Sequence, residues 1–155
     1  MFGESLSGAV IMTFLMSMVP VIELRGALPV GVAAGLSVPA ATIISIIGNM
    51  LPVPFILLLL RKVFAWLRSF PKLGGLIDRL EQRAHLKGQT VKKYRTLGLF
   101  ILVAIPLPGT GAWTGALVAS VLNMRMKSAL PAIFFGVCVA GLIVALVTAG
   151  VIHLF

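Results

Sequence analysis

Val19-Pro-Val-Ile-Glu-Leu-Arg-Gly-Ala-Leu-Pro-Val-Gly31 sets a carboxylate, Glu23, and a guanidinium, Arg25, two residues apart inside an otherwise uncharged block. Pro20, Gly26, Pro29 and Gly31 frame the pair, and no other charged residue falls between Ser5 and Leu60. Charges in hydrocarbon are costly, so they face a protein interior or a water-filled cavity and mark a pathway. The glycines and prolines break a helix where a continuous span would be expected. Broken backbone at membrane depth survives only where it is buried or lines a cavity. The stretch reads as a polar site at the tip of a broken, re-entrant helix pair.

Composition agrees with a membrane setting. Hydrophobic residues make up 59% of the 155-residue chain and charged residues 11%, against about 45–50% and about 25% in soluble domains. Mean hydropathy is +1.11. The length allows roughly four to six apolar segments and no separate soluble domain. The first basic residue is Arg25, so no positive n-region of a secretory signal is expected. Of the 13 basic residues, ten lie between Arg61 and Arg95 against hydrophobic flanks. That is the pattern of a cytoplasmic segment on an anionic leaflet, and it argues against nucleic acid as the partner. Cys138 sits alone in an apolar run and reads as a small packed side chain.

In order, residues 6–19 form an apolar piece too short for a span of about twenty residues. The Glu23–Arg25 break and a second short piece, 26–36, follow. Ser37 and Pro39 start a helix, and residues 40–60 are long enough to cross, with a kink expected at Asn49, Pro52 and Pro54. Residues 61–95 read as two interfacial amphipathic helices, with Trp66 at headgroup depth; in the second, Leu73, Leu76, Ile77, Leu80 and Ala84 form the apolar face and Asp78, Arg79, Glu81 and Arg83 lie off it. His85 in this segment reads as a solvated surface histidine. A second short run ends in Pro106-Leu-Pro-Gly-Thr-Gly-Ala-Trp-Thr-Gly115, another Pro/Gly break, and then comes a short helix, Arg125, Lys127 and a long apolar stretch with Gly136, Ala140, Gly141 and Ala145 for close packing.

The fold expected is an all-α integral membrane protein, a single membrane domain over residues 1–155. It is an inverted repeat of a re-entrant helical hairpin followed by a transmembrane helix. The first repeat is 1–60, with its hairpin at about 5–36 and its span at 40–60. A basic amphipathic cytoplasmic segment, 61–95, joins it to the second, 96–155, with its hairpin at about 96–124 and its span at 129–154. This topology leaves every basic cluster except Arg25 on the cytoplasmic side, whereas a full crossing at 97–122 would put Arg125 and Lys127 outside.

In that arrangement two tips meet inside the bilayer. The first brings Glu23, Arg25, Gly26 and Pro29, the second Pro108, Gly109, Thr110, Gly111, Trp113 and Thr114, and these ten are the candidate substrate-binding residues. Arginine offers a planar donor fork suited to phosphate or carboxylate. Half-helix N-termini after Gly26 and Gly111 would favour an anion. Glu23 is the candidate proton-coupling group, since burial and a neighbouring guanidinium pull on a carboxyl in opposite senses. A contact between Glu23 and Arg25 needs nonhelical backbone between them. An internal ion pair that only fixes the hairpin is the plainer reading of the two charges, and an interface anchor that of Trp113. No catalytic residue, metal cluster, nucleotide loop or cofactor motif is legible; His85 and His153 stand alone.

Glu23-Leu-Arg-Gly-Ala-Leu-Pro29 and Pro106-Leu-Pro-Gly-Thr-Gly-Ala-Trp-Thr-Gly115 resemble the two signatures of the prokaryotic small multidrug export protein family, which is grouped with the DedA superfamily. The resemblance covers essentially the whole chain. It implies two inward-facing re-entrant hairpins with flanking helices. The chain is expected to be a multi-pass protein of a prokaryote's inner (cytoplasmic) membrane and not an enzyme. DedA relatives are implicated in moving undecaprenyl phosphate across that membrane and in proton-linked drug tolerance. By this likeness Glu23 matches the first hairpin's acid and Arg25 the arginine beside it. DedA proteins proper carry arginines in the second hairpin, whereas none occurs here between Arg95 and Arg125. The function expected is a proton-coupled transporter or flippase for an anionic lipid headgroup, most readily a polyprenyl phosphate. The alternatives are a proton-coupled exporter of lipophilic cations, which a fixed Arg25 disfavours, and a non-transporting scaffold recruited through the basic segment. An intramembrane enzyme is poorly equipped with one carboxylate. Gly- and Ala-rich faces are compatible with a homodimer.

Overall fold

Many small residues pack in the interior of this chain, beside a few such as Leu24, Leu28, Leu57 and Ile133, and large apolar ones coat it. The computed structural model describes residues 2–85 and 88–155, and the side chains of all of these except 2–4, 77 and 80–93. Ala27, Ala41, Ala112, Ala116, Ala119 and Ala129 are fully buried, while Ile11, Leu15, Ile43, Phe55, Leu142 and Leu146 lie on the outside. In water this distribution would leave an aggregating surface. In lipid it is what helix association requires, because tails are as apolar as leucine and close backbone approach supplies the attraction. The chain is a membrane protein.

The described residues form helices only: α1 (Phe2–Met18), α2 (Glu23–Ala33), α3 (Val38–Met50), α4 (Pro52–Arg68), α5 (Pro71–His85), α6 (Gly88–Ala104), α7 (Ala112–Val121) and α8 (Met126–Leu154). Ser37 sits at the N-cap position of α3 without a side-chain capping hydrogen bond, and Pro39 falls in the first turn as expected. The expected kink falls at Leu51, where Pro52 opens α4. Together α3 and α4 make a 31-residue apolar span, Val38–Arg68, and α8 makes a second of 29 residues. At a rise of about 1.5 Å per residue each exceeds the bilayer core of about 30 Å.

Two expected boundaries fall inside helices. α4 continues through residue 60 to Arg68, so 61–68 is the end of a span helix rather than a separate interfacial one. No breaker stands between Pro54 and Ser69, and Arg61 and Lys62 are good helix formers whose stems accept apolar surroundings. For the same reason α6 starts at Gly88, well before residue 96. Within α5, Lys72, Leu73, Leu76, Asp78 and Arg79 are exposed. The other positions of the expected amphipathic pattern, His85 among them, have side chains outside the description.

The two halves have the same internal order. α1 and α2 pack on each other and on α3, while α6 and α7 pack on each other and on α8. α2 ends on Gly35 at φ +101° with the Leu36 amide donating to the Gly31 carbonyl. α7 ends on Asn123 at φ +50° with the Met124 amide donating to the Ala119 carbonyl. Both are left-handed caps whose closing amide satisfies a carbonyl five residues back. α8 crosses the middle, touching α2, α3, α6 and α7.

Candidate functional site

Two breaks face each other at the centre of the helices. In the first, α1 stops at Met18 and Glu23 opens α2 with a positive φ of +49°. That conformation is uncommon for a side chain larger than glycine and persists where surroundings over-determine it. In the second, the Thr110 amide donates to the Leu107 carbonyl, with Pro108 and Gly109 (φ +80°) between them. Proline followed by a left-handed glycine is what a type II turn demands. α7 then begins at Ala112.

Each charge of the first break takes its partners from the second. Glu23 is 5% exposed, and its Oε1 accepts from the Trp113 amide at 3.2 Å, with the Ala112 amide beside it. The carboxylate thus caps the N-terminus of α7, where unpaired amides and the helix dipole favour negative charge. Gly111 makes the approach possible, since a Cβ there would run into the Glu23 carboxylate. Arg25 donates to the Leu107 carbonyl, to that of Ile105 at 3.1 Å and to Thr110 Oγ1 at 2.9 Å. Those carbonyls lie just past the C-terminus of α6, the end that favours a cation. The indole of Trp113 returns the bracing by donating to the Met18 carbonyl, the last of α1, at 3.0 Å. Opposite charges meet opposite helix ends across the two breaks.

The other end of α7 is served too. Arg61 of α4 donates to the Met124 carbonyl and Arg95 of α6 to that of Leu122 at 3.3 Å, with Arg125 at the N-cap of α8. A ten-residue helix therefore carries a carboxylate at its start and guanidinium groups at its finish.

Between the breaks lies a cavity of about 480 Å³, its polar lining supplied by Glu23, Arg25, Thr110 and Thr114. Of the ten residues expected here, Gly26, Pro108 and Gly109 also line it. Gly111 lies against the Glu23 carboxylate and Trp113 donates to the end of α1, and neither lines the cavity. Pro29 is inside α2, away from the lining. α2 opens at Glu23 and not after Gly26, so Arg25 belongs to its first turn. The α7 N-terminus expected to attract an anionic substrate is occupied by Glu23 itself.

Sequence reasoning left out Pro20, Val21, Ile22 and Pro106, which complete the lining; the prolines stood inside the quoted motifs. The carbonyls of Ile105 and Leu107 carry no sequence signal at all. Asn49, 3% exposed, borders a narrow gap on another side of Glu23. Its signal was a carboxamide in an apolar span.

A family model described as "Putative small multi-drug export protein" matches residues 23–143. No curated protein and no solved structure matches the chain.

Proposed function

The chain belongs to the small multi-drug export protein family, and from that premise we propose that it is a proton-coupled transporter exporting small lipophilic cations through the cavity between its two helix breaks. The observation that carries this reading is the position of Glu23. Among the described residues it is the one acid lining that cavity, and it also holds the two breaks together.

As a carboxylate, Glu23 draws its full strength from the amides at the start of α7. Protonation removes the charge that the helix end favours and weakens the cap. A cation in the cavity competes for the same carboxylate. Proton and cation are then alternative ligands of one group, which is the condition for exchange. Each transition loosens or tightens the tie between α2 and α7. Arg25 was the objection to a cation, and its charge is set against the carbonyls of Ile105 and Leu107, which offsets the repulsion.

The reading includes the membrane arrangement. We take α1–α2 and α6–α7 as re-entrant hairpins of an inverted repeat in the cytoplasmic membrane. Support comes from the short helices and the matched left-handed caps. A further support is a length: α7, with ten residues, is about 15 Å long, half of a bilayer core of about 30 Å. With Arg61, Arg95 and Arg125 at the cytoplasmic face, Glu23 falls near the midplane, where repeat-built transporters bind substrate.

A second reading, an anionic lipid headgroup such as polyprenyl phosphate, is favoured by Arg25 lining the cavity. Three of the five guanidinium N–H groups are engaged, which leaves two for a phosphate. The test is thermal stabilisation of the purified protein in nanodiscs by tetraphenylphosphonium and by polyprenyl phosphate. Stabilisation by the cation, lost in Glu23→Gln and kept in Arg25→Lys, is the expected outcome. Stabilisation by the phosphate alone, lost in Arg25→Lys, replaces the exporter with the lipid carrier. A response to neither ligand removes both and leaves a scaffold.

A further inference from the structure

Two buried polar atoms on α3 have no hydrogen-bond partner, the amide oxygen of Asn49 and the hydroxyl oxygen of Ser45. Ser45 is fully buried and Asn49 nearly so, one helical turn apart, and neither satisfies the other. A buried acceptor left unpaired costs the desolvation of the group, and such groups in native proteins have a reason.

For Asn49 the surroundings point to a partner across a narrow gap. It borders a gap of about 170 Å³ of empty space with no room for a water-sized sphere, so water is not the missing partner. Val103, Val137 and Ala140 form apolar walls, and the polar side chains on the gap besides Asn49 are Glu23 and Arg25. The Arg25 guanidinium engages three of its five N–H groups with Ile105, Leu107 and Thr110 of the second break. Glu23 is the group on the gap whose hydrogen-bonding character changes with protonation. An ionised carboxylate has no proton to offer an amide oxygen; a carboxylic acid has one.

We propose that Asn49 is the partner of Glu23 in its protonated state. A proton from water in the cavity binds a carboxylate oxygen of Glu23, its charge is neutralised, and its hold on the Trp113 amide weakens. The new O–H then donates to the Asn49 amide oxygen across the gap. On release the proton returns to water, and the carboxylate recaps α7. Glu23 thus moves between two partners, the start of α7 and α3, and Asn49 is a positioning residue that gives the acid form a place to go. The charged group acting on Glu23 is Arg25 of its own helix, beside the amides of Ala112 and Trp113; α3 and α8 bring it no charge among the described residues. The inference rests on Glu23 as the coupling group.

Infrared difference spectra of the full chain in nanodiscs, acidic minus neutral, test it. A protonated-carboxyl C=O band that is lost in Glu23→Gln identifies the acid form of Glu23. In Asn49→Leu this band is expected to move to higher wavenumber, as for a carboxyl without a hydrogen-bonded partner, and in Asn49→Gln to move back. A band indifferent to Asn49→Leu overturns the proposal, as does the absence of any band assignable to Glu23. If Asn49→Leu does not fold, isotope-labelled asparagine in an Asn123→Gly background reports on Asn49 unaltered. Its amide C=O band must shift between the two pH values, and a static band overturns the proposal equally. Cation binding is measured on the same samples. A Glu23 band that responds to Asn49 without cation binding retires the exporter and keeps this inference, and the converse retires this inference alone.

Discussion

Gly111 and Glu23 are coupled by a lack of space. A methyl group at Gly111 meets the carboxylate, so Gly111→Ala is expected to push Glu23 off the start of α7 and cost about 1–3 kcal/mol. Thermal melting in detergent measures it. Glu23→Ala removes the colliding group, so the double variant should be more stable than the sum of the single losses, the sign of direct coupling. Arg25 is a geometric residue as much as a charge, because its fork reaches two carbonyls and the Thr110 hydroxyl at once. Arg25→Lys keeps the charge and loses the fork. It should melt lower than wild type, by an amount equivalent to one or two hydrogen bonds of about 1 kcal/mol each. An unchanged melting temperature would mean that the fork contributes nothing to the closed state.

At the scale of elements, each half is held together by a matched close approach. A Cβ at Gly48 of α3 would lie 2.7 Å from the Phe14 carbonyl of α1, and one at Gly136 of α8 would lie 3.0 Å from the Phe100 carbonyl of α6. Backbone cannot yield as a flexible side chain does. Gly136→Leu should therefore destabilise by about 2 kcal/mol or more, while Gly150→Leu, with open space around it, should stay within about 0.5 kcal/mol of wild type. The left-handed cap at Asn123 gives a prediction of the opposite sign. Asn123→Gly should be neutral or slightly stabilising, and Asn123→Val should cost about 1–2 kcal/mol, because only glycine and asparagine accept this conformation readily. Chemical denaturation of the two helix-end variants beside wild type decides it.

For the whole molecule the open matter is which ends face which side. Re-entrant hairpins put Gly35 on one face of the membrane and Asn123 on the other. In a Cys138→Ser background, Gly35→Cys should react with an impermeant thiol reagent from outside only, and Asn123→Cys from inside only. Labelling of Asn123→Cys from outside would mean that α6 and α7 cross the bilayer together and that the repeat is not inverted. Positive charge argues for the first outcome, since Arg125 and Lys127 follow Asn123 directly.

Much of this architecture was written in one dimension. An apolar chain with two charges inside it and two Pro/Gly breaks has few solutions other than broken helices around an interior polar site, because hydrocarbon tolerates neither loose backbone nor solitary charge. The helix start at Ser37 and the interruption near Pro52 were legible for the same reason, since they depend on neighbours in sequence. The helix limits at Arg68 and Gly88 were not, because charge composition marks where a membrane ends and says little about where a helix does. What only the tertiary structure decided is whom Glu23 and Arg25 serve. Spacing suggested a pair or a substrate clamp; packing put each against the end of a helix some 80 to 90 residues away. Backbone carbonyls and amides are the same at every position of a sequence, and they acquire identity as partners only when the fold leaves them at a helix end.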